Sequence, residues 1–62
     1  MKYSELEKRL RRAGCYLVGN SGHPIWFSPI TGKLFETGHH KSQEVAKGTL
    51  KKIEKDSGVR IR

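Results

Sequence analysis

The chain has one cysteine, Cys15, so no disulfide can form within it. That usage fits a reducing compartment, and the expected location is the cytoplasm. No apolar run approaches the ~20 residues a helix needs to cross a bilayer. Lys2 is followed at once by charged helix formers, not by an apolar signal segment. Acidic residues are few: six Asp and Glu in 62 residues, with Asp56 the only aspartate. Paired carboxylates for acid–base chemistry are therefore absent as a cluster, and a Ser–His–Asp set has only a helix-end aspartate to draw on. Three His and one Cys make a poor zinc set. His39 and His40 are neighbours and cannot share one strand face, and His23 is distant in sequence. No metal and no cofactor are expected. At 7.1 kDa the chain reads as one domain over residues 1–62. A core that small leaves little room for a deep cavity, so a site should be shallow and at the surface.

What the chain has in abundance is positive charge. Thirteen Lys and Arg against six acids give a net +7 and a pI near 10.0. So dense a field attracts polyanions: nucleic acid, an anionic membrane or an acidic protein. Membrane binding requires a basic helix with bulky apolar residues opposite, and neither helix candidate has that pattern. Lys47, Lys51 and Lys55 are spaced by four, so they share a helix face and form a ridge able to follow a phosphate backbone. A plain solvated face is the competing reading of the same ridge. Cys15 opens the apolar run Cys15-Tyr16-Leu17-Val18, which suits a small buried hydrophobe better than a nucleophile.

Ser4-Glu5-Leu6-Glu7 reads as a capping box, with Ser4 the cap. Leu6, Leu10 and Ala13 recur at helical spacing and Gly14 offers a stop, which predicts a helix over about 4–13. Strands are predicted over 15–19, 23–28 and 34–37, separated by Gly19-Asn20-Ser21-Gly22 and Ile30-Thr31-Gly32-Lys33. A second helix is predicted over about 47–57, ended by Gly58, with Val59 to Arg62 as a tail that packs or frays. Connections this short force antiparallel neighbours. The expected fold is α+β, in the order α-β-β-β-α: a three-stranded antiparallel sheet with both helices on one face.

His23 follows the glycine turn and opens a strand, so it is expected to be exposed. An imidazole's ordinary pKa, near 6.5, lets it give or take a proton at cellular pH. RNA cleavage asks little of a protein, because the substrate carries its own nucleophile, the 2′-hydroxyl. A base or acid and nearby cations suffice. His39 and His40 are loop histidines with no evident partner.

The residues resemble the HicA toxins, small mRNA interferases of bacterial and archaeal toxin–antitoxin pairs. The resemblance runs from about Ser4 to Val59. It is carried by Ser4-Glu5-Leu6 through Gly14 and by the glycine turn followed by His23. Further along it is carried by Trp26-Phe27-Ser28-Pro29-Ile30-Thr31-Gly32-Lys33, and by Val45 to Leu50 ending in Lys47-Gly48-Thr49-Leu50. It implies a double-stranded-RNA-binding-domain-like fold, RNA cleavage with a histidine at the position of His23, and neutralisation by a HicB-like antitoxin that covers it. Departures from the family pattern are Ser21-Gly22 before the histidine, Pro24 after it, and Gly38 and Ala46 where prolines are common. These changes are expected to loosen the loop before the second helix.

The resulting expectation is a metal-independent endoribonuclease that cleaves mRNA, with His23 as general acid or base. Lys47, Gly48, Lys51, Lys52, Arg9, Arg12 and Lys41 are the candidate RNA contacts. The expected partners are RNA and a HicB-like antitoxin, with no membrane and no small-molecule cofactor. The alternative is a non-catalytic RNA-binding module with the same fold, for which His23 has no chemical use. An interaction domain serving only an acidic protein is a third reading, and it predicts no RNA affinity at low salt.

Overall fold

The computed structural model describes residues 1–20, 22–38 and 42–61. Ser21, His39, His40 and Lys41 lie outside the described residues. The element order is α1 (Tyr3–Arg12), β1 (Tyr16–Asn20), β2 (Pro24–Ser28), β3 (Lys33–Glu36) and α2 (Lys47–Ser57). The strands form an antiparallel sheet in the order β1-β2-β3. This is the α-β-β-β-α architecture that the short connections predict.

The start of α1 departs from the sequence reading. Lys2, not Ser4, is the N-cap, and no side chain caps the helix. The cause lies more than forty residues away. Lys2 bridges Glu44 in antiparallel fashion, Val45 donates its N–H to Met1 O at 2.8 Å, and Tyr3 donates to Gln43 O at 3.1 Å. This pairing holds residues 1–3, so the helix begins one residue early and Ser4 falls inside it. The other end follows the expected chemistry. The N–H of Cys15 reaches Leu10 O at 3.0 Å and that of Gly14 reaches Arg11 O at 3.1 Å, the two bonds of a Schellman motif.

The core comprises Leu6 and Leu10 of α1, Trp26 and Phe35 of the sheet, Ile53 of α2, and Cys15, Val45, Val59 and Ile61. Trp26 and Phe35 are cross-strand partners, and their rings stack at 6.5 Å. The Trp26 indole N–H donates to Thr37 Oγ1 at 3.1 Å, which satisfies a polar group in a dry place. Cys15 is buried, as its apolar run predicts. Tyr16, Leu17 and Val18 of the same run are about half exposed.

The C-terminal tail packs. Val59 and Ile61 are buried, Arg9 Nη1 donates to Ile61 O at 2.7 Å, and the Ile61 N–H donates to Glu54 Oε2 at 3.1 Å. The turn into the tail requires glycine. Gly58 has φ +71°, and a Cβ there would lie 2.8 Å from Thr31 Cγ2 and 2.9 Å from Ile30 Cγ2. Buried Ser28 and Ser57 join sheet to helix: the Ser28 hydroxyl donates to Ser57 O, and the Ser57 hydroxyl donates to Ile53 O at 2.6 Å.

Candidate nucleic-acid cleavage site

His23 stands between β1 and β2, directly before Pro24. Gly22 holds φ +82° with no atom within 4 Å of where a Cβ would be. Its backbone angle, not crowding, is what calls for glycine. Pro24 is the first residue of β2, the position in a strand where a missing N–H costs least. Its carbonyl still accepts from the Thr37 N–H at 3.1 Å, so the proline does not unseat the site.

The ring of His23 is exposed, with Nδ1 2.9 Å from Gly22 O. A carbonyl only accepts, so Nδ1 must carry the hydrogen. The lone pair of the neutral ring then sits on Nε2. This contact favours the tautomer whose Nε2 can act as a general base.

The ring borders a cleft of about 470 Å³ between the outer edge of β3 and α2. Leu34 to Gly38 form one wall, Thr49, Lys52, Ile53 and Asp56 the other, and Tyr3 contributes from α1. Lys52 is therefore the predicted RNA contact that shares a cavity with His23. Gly38 has a local reason: the Tyr3 ring lies on it, with Tyr3 Cζ 2.7 Å from where a Cβ would stand. Residues 43–45 bond back to residues 1–3, while residues 39–41 of the loop before α2, where loosening is expected, lie outside the described residues.

Lys47, Gly48 and Lys51 line a separate hollow of about 630 Å³ with Met1, Glu44, Val45 and Leu50. Here α2 begins without a side-chain cap and with no acid in its first turn. A Cβ on Gly48 would meet nothing within 4 Å, so the first-turn backbone can be approached closely. The N-terminal ammonium lies 2.8 Å from Glu44. Its hydrogen bond, then its charge, hold that carboxyl below the usual glutamate value, with Lys2 adding to the pull.

The arginines of α1 divide. Arg9 is held by Glu5 Oε2 at 3.3 Å and by Ile61 O at 2.7 Å, so it ties the tail to the helix. Arg11 lies 5.1 Å over the Trp26 ring. Arg12 is exposed at the end of α1. Lys41 lies outside the described residues. Among the described residues no three His, Cys, Asp or Glu side chains group as metal ligands would. Among the described residues no helix is long and apolar enough to cross a membrane.

Sequence reasoning missed Tyr3, Thr49, Asp56 and Glu36 as cleft residues. Thr49, Lys52 and Asp56 share one helix face by spacing, which is a signal the periodicity carries. Tyr3 and Glu36 are brought there by tertiary pairing alone.

The family model described as "HicA toxin of bacterial toxin-antitoxin" matches residues 3–59. The chain belongs to the HicA toxin family. That span takes in every element from α1 to α2, His23, and the lining of both hollows apart from Met1. Searches of curated proteins and of solved structures return no match to this chain. HicA toxins are one half of a toxin–antitoxin pair, so a partner antitoxin follows from membership.

Proposed function

We propose that this HicA toxin is a metal-independent endoribonuclease that cleaves mRNA, with His23 as the general acid–base group. The observation that carries the reading is the exposed His23 ring at the mouth of a cleft shared with Lys52, its Nδ1 committed to Gly22 O. In the proposed reaction Nε2 takes the proton of a ribose 2′-hydroxyl. O2′ bonds to the adjacent phosphorus, and the bond from phosphorus to the 5′-oxygen of the next nucleotide breaks. The proton passes to that oxygen. The products are a 2′,3′-cyclic phosphate and a 5′-hydroxyl end. Lys52 offsets the charge that builds on the phosphoryl oxygens.

Lys47, Lys51 and the backbone at Gly48 hold neighbouring phosphates, where the start of α2 and two ammonium groups favour an anion. Arg12 extends the track from α1, and Lys41 completes the set of RNA contacts. Arg9 ties the tail to α1 and keeps an exposed guanidinium edge for the RNA track. A HicB-like antitoxin neutralises the toxin by covering His23.

The test is incubation of labelled mRNA with wild type and His23→Ala in EDTA, followed by end-group mapping. The variant is expected to lose about 10²- to 10⁴-fold in cleavage rate, the usual span for a general acid–base group, with RNA affinity retained. Equal cutting by both proteins would remove His23 from the chemistry. Tight RNA binding without cutting by the wild type would leave a binding module instead.

A further inference from the structure

The sheet has a covered face and an open one. Trp26 and Phe35 are partners in the row that faces the helices, and both are buried. The next row is Tyr16–Phe27–Leu34, by the pairings Tyr16↔Phe27 and Phe27↔Leu34. Alternation along the strands turns it to the other side. Tyr16 is 51% and Leu34 62% exposed, with half-buried Phe27 between them. The Tyr16 and Phe27 rings sit 5.6 Å apart. Ile25 continues the apolar surface beside its partner Glu36. An apolar surface of this kind on a small, highly charged chain marks an interaction site.

Charge decides what covers it. The chain carries thirteen Lys and Arg, yet the strands contain only Lys33, paired with buried Ser28 in the helix-facing row. The strand residues of the open face include Glu36 and no cation. A nucleic-acid strand needs cations along its phosphates, so this face is unsuited to RNA. A second copy would bring two +7 chains together. A protein with an apolar centre and an acidic rim meets both the patch and the surrounding charge. Leu34 and Glu36 also line the His23 cleft, so a partner on the open face meets that cleft at the β3 edge.

We infer that the open sheet face, centred on Tyr16, Phe27 and Leu34, is the docking surface for an acidic protein partner. That partner shuts the His23 cleft by overlapping its β3 wall at Leu34 and Glu36. This rests on the reading of the chain as a ribonuclease held in check by an antitoxin. It adds that the partner approaches from the sheet side, while RNA is held from α2 and α1.

The test uses the full chain and the antitoxin of its pair. The variant Tyr16→Asn removes apolar contact at an exposed position outside the His23 cleft and leaves the net charge unchanged. Antitoxin affinity is expected to fall at least about 30-fold, as for loss of interface anchors. RNA affinity and cleavage rate should stay within about twofold, since no phosphate contact is touched. On the unaltered toxin, cross-saturation from the antitoxin should reach Tyr16, Phe27 and Leu34; this holds whatever the stability of the variant. Unchanged antitoxin affinity, or saturation confined to α1 and α2, would overturn the inference. So would loss of RNA affinity in the variant, or a wild-type dimer in sedimentation that the variant turns to monomer. A wild type that cuts RNA and binds antitoxin while the variant binds equally well sinks this inference alone. A wild type that does neither sinks the functional reading with it.

Discussion

Gly58→Ala separates two physical costs that usually arrive together. Gly58 holds φ +71° and also faces Thr31 Cγ2 at 2.8 Å and Ile30 Cγ2 at 2.9 Å. The left-handed backbone angle alone costs a non-glycine residue about 1–2 kcal/mol. Displacing two β-branched side chains costs about 1–3 kcal/mol more. Thr31 cannot yield freely, because its hydroxyl donates to Asp56 O. The sum is about 2–5 kcal/mol, against a total stability of about 3–9 kcal/mol for a chain of this length. Gly22→Ala supplies the control, since Gly22 has φ +82° and open space around a Cβ. It should cost the backbone part alone, about 1–2 kcal/mol. Urea unfolding followed by Trp26 fluorescence and far-ultraviolet circular dichroism measures both variants. Gly58→Ala should lose at least about 1 kcal/mol more than Gly22→Ala, the lower bound of the contact cost. Equal losses would refute the argument that the β2–β3 turn packs tightly onto the end of α2.

Other expectations follow from single contacts. Thr37→Val keeps the shape but removes the acceptor of the buried Trp26 indole N–H. It should destabilise by about 1–3 kcal/mol, read by thermal melting. An unchanged melting temperature would mean the indole finds another partner. Glu44 has its carboxyl pKa lowered by the N-terminal ammonium, so the folded form binds that proton less readily than the unfolded form. Its contribution is present above the ordinary value of 4.5 and is lost as pH falls through the lowered value. Wild type should therefore melt above Glu44→Gln at pH 7, and the two curves should converge in acid; a constant gap would contradict this. Lys52→Ala should slow RNA cleavage about tenfold or more while leaving the fold intact. A rate equal to wild type would take Lys52 out of the reaction.

Much of this molecule can be read from local chemistry. The order of elements, α2 from Lys47 to Ser57 and its end at Gly58 all follow from periodicity and turn residues, because those are determined within a few residues of chain. The exposed histidine after a glycine turn was legible for the same reason. The rest depended on partners distant in sequence. Ser4 yields the cap to Lys2 because residues 43–45 hold residues 1–3. Arg9, a candidate RNA contact, also donates to Ile61 O, 52 residues on, a partner no local pattern shows. Tyr16, Leu17 and Val18 continue the apolar run begun by buried Cys15 but remain about half exposed: Tyr16 lies on the open face, and Leu17, though paired with Trp26, sits on an edge strand. The cleft beside His23 draws its walls from α1, β3 and α2 together. The sequence by itself determined which elements form, and that a histidine and many cations lie at the surface. Only the tertiary structure decided which cation joins the histidine and which apolar face stays open, because both depend on how α1 and α2 pack across the sheet.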